Sequence, residues 1–517
     1  MKDSQTSHTM HHISARLLIL ALLVFMGASA GRARAERPVS FVILHTNDFH
    51  GSLLPLEDRR LSQQSKVGGA AFIATRVKEL RKKNPGKVIL LDAGDISQGT
   101  PISNIFFGQP VAKYMNYLGY DAMALGNHEF DWGMKKLDEQ LSRLRFPVVC
   151  ANLVQKANGR PLPRTQPYVV VTRSGMKIGI IGLVSPSTPR MCNPLNIEGL
   201  QFIPPEEPVA MYAKALRDQG VKVVGILSHL GIEVDRQLAP KLEGISFIVG
   251  GHSHTALAST EVVNNIPIVQ AGYNGKYLGE FHFTVDRDTG RMLSWTTDHA
   301  LNAVIDKEII PDPSVQKLLE PYYVKVKPLM EKVVGRAEVD LLNVAPKGYG
   351  DTVLGNVVTD AVREKYGADV VLYNTEGVRA PIYKGIVTRG AIFTVLPFDN
   401  YIVTLELTGK QILDAIEFFI TNPKYVQVSG MTFTYDRNKE KGERVIDPVI
   451  GGSPLVKEKK YRFATVDFLY YTTGDFEGLK EGRNFTFGGV ARDVLEEYVK
   501  RHKTITAPQG NRVRIVK

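Results

Sequence analysis

Two carboxylates, one amide and five imidazoles in the first half of this chain stand just beyond hydrophobic runs. FVILHT (41–46) runs into Asp48 and His50, and VILLDAG (88–94) into Asp95. DAMALG (121–126) leads to Asn127 and His128, VVGILS (223–228) to His229, and SFIVGG (246–251) to His252 and His254. Hard carboxylate and amide oxygens mixed with imidazoles suit first-row divalent ions such as Mn, Zn, Co or Fe. Two ions need a shared ligand, and Asp95 is the natural bridge. A metal pair about 3.5–4 Å apart activates a water and clamps a phosphoryl oxygen during in-line displacement.

Something must gather these side chains. Hydrophobic runs alternate with amphipathic stretches such as GGAAFIATRVKELRKK (68–83), VAKYMNYLG (111–119), MKKLDEQLSRL (134–144) and AMYAKALRDQG (210–220). Strand, helix, strand is the α/β pattern. Ligands of such sheets collect beyond the carboxyl ends of strands, which is where all five motifs lie. The runs are Val/Ile/Leu-rich on both faces, as expected of a sheet covered by helices on both sides. A period of two would aim Asp48 and His50 to the same side.

Pro311-Asp312-Pro313 marks a break, followed by a polar, partly helical stretch that Pro321 and Pro328 should interrupt. The expected organisation is a leader over 1–35, a first domain over 36–310, a connector helix over 311–336 and a second α/β domain with a mixed sheet over 337–517. The leader has Arg16 before LLILALLVFMGASA (17–30) and Ala33-Arg34-Ala35 before Glu36, the form of a cleaved export signal. It implies a periplasmic or secreted protein, cut near Ala35, without a stable membrane anchor. The formal charge of +11 comes with no long basic tract, so no nucleic-acid polymer is expected as partner. The two cysteines, Cys150 and Cys192, make no disulfide framework and read as unpaired buried thiols.

HTNDFHG (45–51), DAGDISQGTP (92–101), LGNHEFDWG (125–133), CANL (150–153), SHLG (228–231) and GGHSH (250–254) resemble the calcineurin-like metallophosphoesterases. In order and wording they are similar to the secreted 5′-nucleotidase / UDP-sugar hydrolase family, and the resemblance spans nearly the whole chain after the leader. It implies a four-layer α/β sandwich for the first domain and a substrate-binding second domain. It implies one metal site of Asp48, His50, Asp95 and His254, and another of Asp95, Asn127, His229 and His252. It makes His128 a catalytic imidazole rather than a ligand, with Asp131 placed to orient its ring and raise its pKa. Glu129 and Asp92 read as structural.

In the second half, YNTEGVRAPI (373–382) and VLPFDNYIV (395–403) resemble the family's substrate motifs. The resemblance implies that Asn374 and Asn400 contact the base region, Arg379 grips phosphate and Phe398 stacks on the base. Asp475, in TTGDFEG (472–478), would hold ribose hydroxyls, and the second stacking aromatic lies among Phe468, Tyr470 and Phe476. Glu376 stands where the family has glycine, and Lys347 substitutes for an arginine from another position. The implied activity is hydrolysis of nucleotides, extending to nucleotide sugars or 2′,3′-cyclic nucleotides. The alternatives are a thiosulfohydrolase of the same architecture, acting on a sulfur-linked substrate, and a catalytically silent nucleotide-binding protein.

Overall fold

The computed structural model describes residues 36–516, apart from 59–60, 63–64, 298–300, 305–306, 308, 346–349, 421–425 and 472–477. The expected leader, Lys347, Asp475 and Phe476 lie outside the described residues.

Two sheets face each other in the first half. In one, the parallel strands Pro38–Thr46, Val88–Asp92, Ala122–Ala124 and Val148–Val149 are flanked by the antiparallel strand Tyr277–Asp286. In the other, Met176–Val184, Val223–His229, Phe247–Gly250 and Ile266–Gln270 run parallel. Alternation along a strand sorts its side chains between two covers. Phe41 and Ile43 join Ile89, Leu91, Val223, Leu227, Phe247 and Phe281 in a core between the sheets. Val42 and Leu44 point the other way, to Ile73, Val77, Val111 and Met115 of the helices Ala70–Lys83 and Gln109–Leu118. On the far side, Ile181, Ile226 and Ile248 pack on Val209, Ala213 and Leu216 of the helix Glu206–Asp218. The result is the four-layer α/β/β/α sandwich. Helices cover only one face of each sheet, contrary to the expectation of helices on both. The second cover is the other sheet, and a strand buried on both faces has the same apolar composition either way.

The connector is one helix, Pro313–Met330, with Pro321 and Pro328 inside it. Asp312 caps it, accepting from the amides of Ser314 at 2.9 Å and Val315 at 3.1 Å. The prolines do not interrupt it because Val315, Leu319, Tyr322 and Val326 form one buried stripe, and tertiary packing of such a face outweighs local propensity. This helix contacts Ala70–Lys83 and Gln109–Leu118 on one side and Arg389–Val395 on the other. The expected boundary at 337 falls inside the strand Val333–Ala337, which pairs with Gly385–Thr388 and Thr504–Ile505.

The second half is built on a mixed five-stranded sheet, in the order Val426–Ser429, Val370–Asn374, Lys460–Val466, Tyr401–Thr408, Arg483–Val490. Its core gathers Val357, Val358, Val371, Leu405, Ile412, Ile416 and Phe463. Cys150 and Cys192 are both free and buried.

Candidate metal centre

The strands deliver their ligand candidates through loops of unusual backbone. Asp48, His50, Asp95, His252 and His254 all have positive φ, between 49° and 74°. A non-glycine residue held in this region costs on the order of 1–3 kcal/mol, so the fold must overdetermine these loops. It does so by zipping them together. The amide of Asp48 donates to Gly94 O at 2.9 Å, that of His50 to Asp95 O at 2.9 Å, and that of Gly51 to Ile96 O at 2.9 Å. Strand alternation therefore does not aim Asp48 and His50: the strand ends at Thr46, and the left-handed turns do the aiming. Gly126 is obligatory beside them, because a Cβ there would lie 2.2 Å from Asp95 Oδ1.

Asp48, His50 and His254 form one potential metal group, and Asp95, His229 and His252 a second, with ligand atoms in each within 4.8 Å of one another. His254 Nε2 lies 3.2 Å from His50 Nε2 and 3.3 Å from Asp48 Oδ1. His229 Nε2 lies 3.0 Å from Asp95 Oδ2. Asp48 Oδ1, Asn127 Oδ1 and His229 Nε2 are buried and make no hydrogen bond among the described residues. Buried polar atoms normally have partners, and oxygens and imidazole nitrogens that converge in this way fit divalent cations. Although burial would lower the pKa of His229, Asp95 and Asp48 raise it to about 10, so the site calls for positive charge, carried by a proton or by a metal ion.

Neighbouring groups fix these orientations, as they do in metal sites generally. His50 Nδ1 is bonded to Gln98 O at 2.8 Å and His229 Nδ1 to Ala93 O at 2.6 Å, turning both Nε2 atoms inward. Asp48 Oδ2 accepts from Asn47 Nδ2 at 2.7 Å and from the His252 amide at 2.8 Å. Asp95 Oδ1 accepts from the His128 amide at 2.8 Å, which leaves Oδ2 facing His229. Burial holds the pKa of His252 down at about 4 and that of His50 well below the ordinary range, so both rings are neutral and able to donate a lone pair. At Asp95, burial alone would raise the carboxyl pKa; His229 and His128 outweigh it and keep the group ionised.

Glu129, read from sequence as structural, is a clamp. Its carboxylate accepts from the amides of Asp95 at 2.9 Å, Ile96 at 2.9 Å and Gly126 at 2.6 Å. His128 Nδ1 is bonded to Asp131 Oδ2 at 2.7 Å. Burial would lower the pKa of His128, but the carboxylates of Asp131 and Asp95 outweigh it and raise it above the ordinary histidine value.

The second half reaches into this centre. Arg379 Nη2 lies 3.0 Å from His50 Nε2 and 3.4 Å from His254 Nε2. Phe398 lies flat on His128, with centroids 4.9 Å apart and an interplanar angle of 11°. The Arg379 guanidinium sits 5.4 Å from the Phe398 centroid. A cleft of about 980 Å³ is lined from one half by Asn127, His128 and Asp131, and from the other by Asn374, Arg379, Phe398 and Asn400. Glu376 lines it too. Of the aromatic candidates, Phe468 lines the cleft, whereas Tyr470 packs against Phe485 at 4.7 Å. Trp132, within the 125–133 motif, also lines it, as do Tyr273, Asp467 and Tyr471, which had no motif to mark them.

The family model for calcineurin-like phosphoesterases matches residues 41–256, and that for the 5′-nucleotidase C-terminal domain matches 333–481. A snake venom 5′-nucleotidase from Gloydius brevicauda is 31% identical over 545 residues, covering 95% of this chain and 92% of the relative. A 5′-nucleotidase precursor from Thermus thermophilus superposes with a TM-score of 0.85 at 31% identity, over 93% of this chain and all (100%) of that one. A sulfate thiohydrolase, also from Thermus thermophilus, has a TM-score of 0.81 at 19% identity, over 92% of this chain and 96% of that one, a likeness of fold alone.

Proposed function

From the premise that this chain belongs to the 5′-nucleotidase family, and is thus a metal-dependent phosphoester hydrolase, we propose that it removes phosphate from nucleotides in the cleft between its two halves. The observation that carries this reading is the pair of adjoining ligand groups with orphaned buried atoms, faced by the His128–Asp131 pair and reached by Arg379. Asp48, His50, Asp95 and His254 would hold one divalent ion, and Asp95, Asn127, His229 and His252 the other. When bound, the ions would supply Lewis acidity toward the phosphoryl group and lower the pKa of an attacking water.

The protein's own groups do the rest. Arg379 brings a guanidinium against the same centre, where it would bind the anionic phosphoryl oxygens. His128, whose pKa Asp131 and Asp95 raise, would in its protonated form neutralise charge developing there or give its proton to the leaving oxygen. Asn374, Asn400 and Phe398 would read the nucleoside, with Asp475 and Phe468 completing the pocket. In this structure the Phe398 ring rests on His128, so base stacking would require the two rings to part. Residues 36–310 would form the hydrolytic domain and 337–517 the substrate domain, joined by the helix between them. No helix among the described residues is long and apolar enough to cross a membrane. Export to the periplasm or beyond, with cleavage near Ala35, is the setting we assign.

The test is a substrate panel on metal-stripped protein reloaded with Mn, Zn, Co or Mg. It comprises nucleoside mono-, di- and triphosphates, nucleotide sugars and 2′,3′-cyclic nucleotides. Release of phosphate from 5′-mononucleotides with at least one of these metals is the expected result. Metal-dependent hydrolysis of simple phosphoesters with no nucleotide turnover would overturn the substrate assignment.

A further inference from the structure

The imidazoles of this centre are not all oriented in the same way. His50, His128 and His229 each engage an oxygen through Nδ1, those of Gln98, Asp131 and Ala93. Neither His252 nor His254 has such an acceptor among the described residues; the His252 ring packs against that of His229, centroids 5.1 Å apart, which leaves His254. It is also the exposed member of its group, with 24% of its side-chain surface accessible against 3% for His50 and 0% for Asp48. Its backbone is left-handed, at φ 57°. A ligand on such a loop needs something to hold its ring.

That something is an aromatic face. The Tyr273 ring lies against the His254 imidazole, centroids 4.7 Å apart and planes 11° from parallel. The Lys276 ammonium sits 3.9 Å from the centroid of the same Tyr273 ring. Lys276 is held in turn by Asp58, Nζ to Oδ2 at 2.8 Å, with both side chains 5% exposed. A lysine this buried is kept by its ion pair, so its position over the ring is fixed. The loop carrying Tyr273 is fastened to the neighbouring ligand. Asn47 accepts from the Ala271 amide at 2.8 Å, donates to Gly272 O at 2.6 Å and donates to Asp48 Oδ2 at 2.7 Å. The Asn274 amide donates to Asp48 O at 2.8 Å. The Tyr273 ring is therefore registered against Asp48 while it sets the plane of His254.

We propose that Tyr273 is a positioning residue for the metal group of Asp48, His50 and His254: its ring face, backed by Lys276 and Asp58, does for His254 what a hydrogen-bond acceptor does for His50 and His229. This rests on the metal reading of that group. A flat aromatic contact fixes ring orientation while leaving Nδ1 open to solvent, a geometry suited to a ligand at the edge of a substrate cleft. Removing an orienting partner of a metal ligand typically costs about tenfold to a hundredfold in affinity.

The experiment is a Co²⁺ titration of the metal-stripped full chain, followed by equilibrium dialysis and by the visible absorption of the bound ion. Wild-type protein should take up two ions. Tyr273→Leu should bind one ion with wild-type affinity and the other about tenfold or more weakly, with a changed absorption band for that ion. Tyr273→Phe, which keeps the face and loses only the hydroxyl, should match wild type. In a His254→Ala background, Tyr273→Leu should cause no further loss. Wild-type binding of both ions by Tyr273→Leu would overturn the inference, as would an equal loss in Tyr273→Phe or a full additional loss in the His254→Ala background. If Tyr273→Leu does not fold, Tyr273→Ala and its cycle with His254→Ala decide by the same readings. No Co²⁺ uptake by the wild type would instead sink the metal reading itself.

Discussion

Glu129 offers the sharpest check on how the centre is held. Its two oxygens take three buried backbone donors, the amides of Asp95, Ile96 and Gly126, and it is not among the residues lining the cleft. Burial and the neighbouring Asp95 charge raise the pKa of the Glu129 carboxyl to about 7, so the measurement is made above that pH. There a hydrogen bond to the charged group is worth about 1.5–3 kcal/mol, and three give an upper bound of about 4.5–9 kcal/mol. Glu129→Ala leaves space that water can enter, and bridging water recovers much of that, which brings the expected loss to about 3 kcal/mol. At about 2–4 °C per kcal/mol for a body of this size, the unfolding transition of the first half should fall by about 6–12 °C. Glu129→Gln keeps the volume but offers one carbonyl oxygen in place of two acceptors. Turned to serve Asp95 and Gly126, it aims its own NH₂ at the Ile96 amide. Its loss should be roughly half that of alanine. The same variants should bind metal more weakly, because the Asp95 amide is part of what holds the φ of 59° at that ligand. The assay is differential scanning fluorimetry on metal-stripped and Co²⁺-loaded protein, with metal content measured on the same samples. A Glu129→Ala protein with unchanged transition and two bound ions would refute the clamp.

Asp95→Asn should abolish turnover and lower bound metal below that of His254→Ala if, as proposed, Asp95 alone serves both ions; elemental analysis with a phosphate-release assay decides it. His128→Ala should lose roughly two or more orders of magnitude in kcat at wild-type metal content, and a coupled loss of metal would make it a ligand. Phe398→Ala should cost about tenfold on a nucleotide, from loss of about 1–3 kcal/mol of stacking, and much less on p-nitrophenyl phosphate; equal losses would make Phe398 a packing residue only. Asp467 is raised to about 6 from an ordinary 3.8, chiefly by burial. The folded state thus holds this proton more tightly than the unfolded state. The contribution is full below about pH 4 and is lost as pH rises through 6. Asp467→Asn should flatten that part of the stability profile, read as melting temperature between about pH 4 and 7.

The ligand candidates stood out in the sequence because their chemistry is local. Each of Asp48, His50, Asp95, Asn127, His229, His252 and His254 follows a hydrophobic run, and the fold brings Asp48, His50 and His254 together, with Asp95, His229 and His252 beside them. The layer order was less legible. Phe41 and Ile43 meet a sheet while Val42 and Leu44 meet helices, yet apolar side chains are called for by both. The continuity of the connector helix was hidden for a similar reason: Pro321 and Pro328 are local signals, and the stripe from Val315 to Val326 that overrides them acts through partners distant in sequence.

What escaped the sequence most completely is the left-handed backbone at five of the ligand candidates. Positive φ is announced by glycine or asparagine when a turn merely needs it. Here aspartate and histidine occupy those positions, and nothing in their identity advertises it. The physical reason lies in competing demands. A glycine would relieve the backbone but carry no ligand atom, so the side chain is kept and the strain is met by bonds made elsewhere: the amide zipper between residues 48–51 and 94–96, the Glu129 clamp, and the Asn47 amide on the 271–272 loop. Those supports are ordinary residues by composition, and Glu129 reads as merely structural for that reason. A strained ligand loop and an unremarked buried polar clamp are therefore two halves of one device. The glycines that do occur stand where a side chain would collide: at Gly126 with Asp95, at Gly94 with His229 and at Gly99 with His50. The same logic places Tyr273 beside His254: where no backbone acceptor reaches the ring, a packed face takes over the task of orientation.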